Sequence, residues 1–345
     1  MNKSAGGTSE DNVAGLTLGK LRGIQQIAND AGRLTITALD HRGSLKKALR
    51  PGDPSAVSFD DMVAFKARLA RALVPHSSAI LLDPVYGAAP LMTSGAVPGG
   101  KGVLVSLEET GYTDAEGDRV TSIQSGWGVD KIKLMGGSAV KLLLYYNPGS
   151  TTAAQQEEVV RQAVAECRQH DIPLLVEPMT YHISGGPKKG TADFAAMKPR
   201  MVIDTAARLV PLGIDVLKAE FPADSDFESD DGRMLAWCRE LTDACGTQPW
   251  VLLSAGVSYP VFKRQVEIAC EGGASGFLAG RAIWQEVPSL PDGERDAFLA
   301  GEASGRLDEL TAIANRSGRA WTEVMSGAIR AVDTSAGWES RYMAG

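Results

Sequence analysis

A closed (β/α)₈ barrel with additional N- and C-terminal helices is the fold the sequence predicts, because eight short apolar runs recur along it with helix-like stretches between them. The runs are near-continuous in apolar residues rather than alternating, the pattern of parallel strands covered on both faces. A barrel of this kind takes about 250 residues, so a chain of 345 has room for long loops and terminal helices. An open doubly wound sheet is the alternative. Its dinucleotide-binding version is poorly supported, since no G-x-G-x-x-G follows the first run and "ALDHRGSLKKAL" holds a single glycine.

Residues 1–15 read as a flexible polar tail, and residues 16–345 as a single barrel domain, because no linker rich in Pro, Gly or Ser divides the chain. "LTLGKLRGIQQIAND" places Leu18, Leu21, Ile24 and Ala28 near one helical face, a first helix against the body. Strands are then expected at "LTITALD" (34–40), "AILLDP" (79–84), "GVLVSLE" (102–108) and "AVKLLLYY" (139–146). Four more follow at "PLLVEPM" (173–179), "VLKAEFP" (216–222), "PWVLLSAG" (249–256) and "GFLAGRAI" (276–283). The clearest helix is "TTAAQQEEVVRQAVAECRQH", with Val160 and Val164 beside Val159, Ala163 and Cys167, and Thr151 or Thr152 as its cap. "YHISGGPKKGTADFAAMKPR" reads as a long polar loop after strand 5, and "RLDELTAIANRSGRAWTEVMSGAIRAV" as two terminal helices.

A formal net charge of −7 and a pI near 5.3 argue against a nucleic-acid binder, which needs a basic surface to track phosphates. The N-terminus lacks the apolar core of a signal peptide, and no segment approaches the roughly 18 apolar residues of a membrane span. The expectation is a cytoplasmic protein with no membrane partner, compatible with a homo-oligomer. Cys167, Cys238, Cys245 and Cys270 show no C-x-x-C spacing and read as reduced, structural residues. His41, His76, His170 and His182 are scattered, which leaves few ligands for a metal.

The C-terminal ends of barrel strands face the active site. Asp40 closes strand 1, Asp83 strand 2 and Glu108 strand 3; Lys141 lies early in strand 4, Glu177 late in strand 5 and Lys218 within strand 6. Lys218, inside the buried-looking run "VLKAEFP", has ordinary readings: it snorkels to solvent, or pairs with Glu220 or another carboxylate. Two lysines and several carboxylates aimed at one cavity are, however, a costly way to hold a core together. Two lysines sharing a dry cavity should depress each other's protonation, and a neutral lysine attacks carbonyl carbons. The glycines after strands 7 and 8, with Ser254, Gly256, Gly280 and Arg281, suit a phosphate cradle. A phosphorylated carbonyl compound fits both halves of such a site.

"ALDHRGSL", "AVKLLLYY", "LLVEPM", "DVLKAEFP", "LLSAGV" and "GFLAGRAIW", in that order, resemble the class I tagatose 1,6-bisphosphate aldolases and the related sulfofructose-phosphate aldolases. The resemblance spans about residue 16 to beyond residue 310. It implies a (β/α)₈ lyase that needs no metal and no cofactor and forms a Schiff base with a ketose phosphate, yielding dihydroxyacetone phosphate and an aldehyde. By motif it makes Lys218 the Schiff-base lysine, Glu177 the acid/base, Asp40 the strand 1 aspartate and Lys141 the second lysine. Ser254, Gly256, Gly280 and Arg281 become phosphate-binding elements. His41 departs from the pattern, since many tagatose aldolases have glutamine there; it touches either the substrate or only the first loop. Lys188, Lys189 and Arg200, in the loop after strand 5, are candidates for the distal anion or plain surface charges. The resemblance favours tagatose 1,6-bisphosphate as substrate; a 6-deoxy-6-sulfofructose 1-phosphate aldolase and a non-catalytic sugar-phosphate-binding regulator are the alternatives.

Overall fold

Each of the eight apolar runs becomes a parallel strand. A computed structural model describes residues 16–110 and 120–342, so the expected tail over residues 1–15 lies outside the described residues. The strands are β1 (Leu34–Leu39), β2 (Ala79–Leu82), β3 (Gly102–Ser106), β4 (Ala139–Tyr145), β5 (Leu174–Met179), β6 (Val216–Ala219), β7 (Trp250–Leu253) and β8 (Gly276–Ala279). They pair in sequence order, and β8 closes back on β1 with Ile36 opposite Leu278.

The helices are α1 (Leu18–Ile27), α2 (Gly43–Leu49), α3 (Phe59–Leu73), α4 (Ala88–Thr93), α5 (Val129–Leu134), α6 (Ala153–Gln169), α7 (Ala192–Leu209) and α8 (Asp231–Cys245). Then come α9 (Tyr259–Glu271), α10 (Arg281–Trp284), α11 (Asp292–Phe298), α12 (Ser304–Ser317) and three short pieces, α13 (Trp321–Val324), α14 (Ser326–Arg330) and α15 (Trp338–Arg341). Thr152 takes the N-cap position of α6. The second terminal helix expected from the sequence is therefore broken, at Met325, into α13 and α14. Arg200 also sits in a helix rather than a loop, because α7 runs through Pro199, whose ring is buried on its inner face.

Two apolar layers result from the period of two along each strand. One lies inside the barrel and includes Leu34, Ile36, Ala79, Leu81, Leu104, Leu175, Val216, Val251 and Leu278. The other, between strands and helices, includes Ile80, Val105, Leu142, Val176, Leu217, Trp250 and Phe277. All four cysteines are buried free thiols.

Helix α1 crosses the N-terminal mouth of the barrel. Its buried residues are Lys20, Gly23, Ile24 and Ile27, a stripe turned slightly from the expected Leu18, Leu21, Ile24 and Ala28. The turn follows from a charge: Lys20 Nζ donates to Asp215, just before β6, at 2.9 and 3.1 Å, and Asp215 accepts the Leu174 N–H at 2.8 Å. Among the described residues no helix is long and apolar enough to cross a membrane.

Candidate active site

Alternation along the strands decides which charges reach the barrel axis. On β4, Ala139 belongs to the interior layer, so Lys141, Leu143 and Tyr145 share its side. In the same way Leu175 on β5 sets the direction of Glu177, and Val216 on β6 that of Lys218. Asp40 and Glu108 continue the interior series of β1 and β3 just beyond the strand ends. All five charged residues line one cavity of about 510 Å³ at the C-terminal mouth.

Lys141 has no exposed surface, and three carboxylates surround its Nζ: Glu108 at 2.7 Å, Asp40 at 2.9 Å and Glu177 at 3.0 Å. Burial disfavours the ammonium, but Asp40, Glu108 and Glu177 outweigh it and hold Lys141 well above the usual lysine range. The expectation that each lysine would depress the other therefore fails for Lys141. The sequence could not show that three carboxylates, from β1, β3 and β5, converge on it. Asp40 is the mirror case: burial pushes its pKa up, and Lys141, Lys218 and His41 together push it further down, well below the usual carboxylate range.

Lys218 Nζ lies 2.6 Å from Glu177 Oε1, so Glu177 bridges the two lysines, one on each oxygen. Its Oε2 is in charge contact with Lys141 yet, although buried, has no hydrogen-bond partner among the described residues. Glu220, two residues after Lys218, does not pair with it. The strand ends at Ala219, and Glu220 turns to accept the Thr180 N–H at 2.6 Å and to pair with Lys189 at 3.1 Å.

Asp83 corrects a second expectation. It does not line the cavity but forms a fully buried ion pair with Lys66 of α3. The chain leaves β2 at Leu82, and Asp83 Oδ1 accepts the Val85 and Tyr86 N–H groups at 2.9 and 2.7 Å, which draws the carboxylate back over its own turn. Lys66 also donates to the Leu39 carbonyl at 2.7 Å, directly before Asp40.

Ser254, Gly256, Gly280 and Arg281 all line the same cavity. Ala255 and Gly256 both adopt left-handed backbone, φ +47° and +80°. For alanine that conformation is strained, and strain of this kind concentrates at functional sites. The loops after β7 and β8 meet here: a Cβ on Gly256 would lie 2.9 Å from the Arg281 guanidinium carbon. The Arg281 guanidinium makes no hydrogen bond or ion pair among the described residues, so its fork is free for an anion.

His41 also lines the cavity. Its ring meets Trp284 edge-on at 5.2 Å, and its Cε1 fills the space a Cβ on Gly280 would need, 2.7 Å away. Nδ1 is buried with no hydrogen-bond partner among the described residues, and Asp40 Oδ1 lies 3.8 Å from it.

Lys188, Lys189 and Arg200 do not reach the cavity. Lys189 is taken by Glu220, Lys188 is exposed, and Arg200 pairs with Asp204 on the outer face of α7. Conversely, Glu108 carried the strand-end signal yet was not chosen among the candidate site residues. Arg42, Ser44 and Lys47 line the cavity unannounced. Their signal was proximity to Asp40, since α2 starts at Gly43 and its first turns overhang the mouth. Arg42 is engaged, donating to Gln124 and to the Glu108 carbonyl, at 2.8 and 2.6 Å. The Lys47 ammonium, like the Arg281 guanidinium, makes no hydrogen bond or ion pair among the described residues. Among the described residues no group of three or more His, Cys, Asp or Glu is arranged to hold a metal ion.

The sequence pattern of the DeoC/LacD family aldolases matches residues 34–286. The tagatose 1,6-diphosphate aldolase of Lactococcus lactis subsp. lactis is 30% identical over 328 residues, 89% of this chain and 99% of that protein. The protein of the same name from Staphylococcus epidermidis strain RP62A is 30% identical over 321 residues, 88% of this chain and 97% of the relative. Among solved structures, an archaeal fructose 1,6-bisphosphate aldolase superposes with a TM-score of 0.58 at 21% identity, covering 85% of this chain and 98% of that one. A likeness that distant bears on the barrel alone.

Proposed function

The chain belongs to the DeoC/LacD family of aldolases, and from that premise we propose that it cleaves a ketose 1,6-bisphosphate, tagatose 1,6-bisphosphate first, through a Schiff base on Lys218. The products are dihydroxyacetone phosphate and glyceraldehyde 3-phosphate. The observation that carries this reading is the pair Lys218–Glu177, 2.6 Å apart inside the cavity. It joins a nucleophile to the acid/base that its chemistry requires.

In this reading the C1 phosphate meets Arg281, Gly256 and Ser254, and the C2 carbonyl faces Lys218. A proton passes from Lys218 to Glu177, which frees the amine and loads the acid. The amine attacks C2, Glu177 protonates the departing oxygen, water leaves and an iminium forms. That cation is the electron sink, so no metal is required. Asp40, held ionised, takes the C4 hydroxyl proton, the C3–C4 bond breaks, and the enamine left on Lys218 is protonated and hydrolysed. Lys141 helps hold Asp40 ionised and keeps Glu108 and Glu177 in register. Two lining cations whose side chains have no partners among the described residues, Arg281 and Lys47, suit a substrate with an anion at each end. A sulfonate suits Lys47 as well as a phosphate does, so kcat/KM is to be compared for tagatose 1,6-bisphosphate, fructose 1,6-bisphosphate and 6-deoxy-6-sulfofructose 1-phosphate.

The test is covalent. Dihydroxyacetone phosphate followed by borohydride should leave a reduced adduct on the peptide carrying Lys218, read by mass spectrometry. Full turnover without an adduct, or an adduct on Lys141, overturns the assignment. Prolonged dialysis against EDTA should leave kcat unchanged, whereas activity lost and then restored by zinc points to metal-based chemistry.

A further inference from the structure

The Lys218–Glu177 contact stands on an open seam of the barrel. β5 stays paired with β4 up to Met179, and β6 with β7 up to Ala219, but β5 and β6 pair only at Leu175–Val216 and Val176–Leu217, one step short of the two reacting side chains. A proline accounts for the gap. Alternate residues of a parallel strand bond to opposite neighbours. The Pro173 and Met179 carbonyls accept the Val140 and Tyr146 N–H groups on the β4 side, whereas the Leu174 carbonyl accepts from Asp215 on the β6 side. Residues 178 and 180 therefore face β6. Continued in register, the Lys218 carbonyl would meet the N–H of residue 178, and Pro178 has none.

The next donor on that edge is the Thr180 N–H, and a side chain takes it. Glu220 Oε2 accepts this N–H at 2.6 Å together with the Thr180 hydroxyl, while Oε1 pairs with Lys189 at 3.1 Å. The residue is 2% exposed. Burial pushes its pKa up, but Lys189, Lys198 and the Thr180 bonds outweigh burial and hold Glu220 below the usual carboxylate range, which makes it a charged acceptor.

We propose that Glu220 is a positioning residue: its bond to Thr180 stands in for the ladder step lost at Pro178 and holds Lys218 and Glu177 at proton-transfer distance. The inference rests on the aldolase reading above, in which a proton passes from Lys218 to Glu177 before the amine attacks C2. Glu220 does not line the cavity, so it acts through the ends of β5 and β6. The 2.6 Å between Lys218 Nζ and Glu177 Oε1 leaves no slack for a splay of the two strands, because the transfer needs hydrogen-bond reach. Lys189, half-exposed, ties the loop after β5 to the same carboxylate and is not needed for the bridge itself.

Three variants test this. E220L removes the acceptor, E220Q keeps an oxygen within reach of the Thr180 N–H, and K189M leaves Glu220 with Lys198 as its cation. Timed mixing with saturating dihydroxyacetone phosphate, quenched in borohydride, gives the rate of adduct formation on Lys218 and, at long times, the final yield that counts folded sites. In E220L that rate and kcat should fall about 10- to 100-fold, with KM changing far less and the final yield equal to wild type. E220Q should recover most of the rate, and K189M should stay close to wild type. An unchanged rate in E220L, a loss confined to its final yield, or E220Q or K189M as slow as E220L overturns the positioning role. If E220L does not fold, E220D takes its place, since it keeps the charge and draws the oxygen back from Thr180; a wild-type rate in E220D then overturns the inference. No adduct in the wild type overturns the aldolase reading itself, whereas a wild-type adduct with no slowing in the Glu220 variants overturns this inference alone.

Discussion

The two ends of the barrel bury the same chemistry to opposite effect. At the N-terminal end, Lys20 meets Asp215 under α1, both Asp215 oxygens accept from Nζ, and one also takes a backbone N–H. At the C-terminal end, Lys141 and Lys218 share Glu177, and Lys141 also holds Asp40 and Glu108. Yet here Glu177 Oε2 and His41 Nδ1 lack hydrogen-bond partners among the described residues, and a cavity of about 510 Å³ stands open above them. A buried lysine with a carboxylate is thus no sign of function by itself. What separates the ends is saturation: the lower pair is closed and capped, while the upper cluster surrounds space that a substrate must complete.

Replacing the upper lysines sharpens this contrast most. K218M should lower kcat by about 10⁴-fold or more while the fold survives, because Glu177 keeps Lys141 as its counter-charge. K141M should also abolish turnover, and in addition lose about 3–5 kcal/mol of stability, since Asp40 and Glu108 lose their principal cation. Chemical denaturation beside steady-state assays checks both. If K141M is as stable as K218M, the cluster does not depend on Lys141 for its charge balance.

How much of this was legible depended on whether the cause was local. The eight strands could be read because parallel-strand runs and crossover helices announce themselves within some thirty residues. The inward direction of Lys141, Glu177 and Lys218 follows from a period of two and was also readable. Asp83 was misjudged because its direction is set by two N–H groups in the next turn and by Lys66 on a helix earlier in the chain. The charge state of Lys141 required three carboxylates from three strands to be known together. Arg200 was assigned to a loop because the stretch after strand 5 reads as long and polar, whereas α7 runs through Pro199, and its burial against the barrel overrides the hydrogen bond lost there. The pinning of His41 needed Trp284, more than two hundred residues away in sequence.

Smaller effects probe each end separately. G256A should lower kcat/KM about tenfold, mainly through KM, because a methyl group at φ +80° presses on the Arg281 guanidinium. At the other end, K20M should cost about 3 kcal/mol, leaving Asp215 buried without its cation, with kcat/KM within about twofold of wild type. A K20M enzyme that keeps its stability but loses activity breaks the comparison, because the lower pair would then be coupled to the chemistry.

A further effect is expected in acid, and its sign follows from His41. In the folded protein burial lowers its pKa to about 4, opposed by Asp40 and aided by Arg281, Lys66 and Lys218, against 6.5 for an unperturbed ring. Between those values the unfolded chain binds the proton and the native ring does not, so stability rises with pH across the window. The contribution is fully present above about pH 6.5 and is lost as pH falls toward 4, by at most about 3 kcal/mol. Asp40, held well below the usual carboxylate range, contributes in the same direction but loses its share only at lower pH. Unfolding midpoints measured from pH 7 to pH 4.5 should therefore decline in the wild type and decline less in H41F. The lower pair predicts no such difference, since Asp215 is shifted upward by burial and H41F leaves it untouched. Equal slopes in the two proteins would mean that His41 is not held neutral by the upper end of the barrel.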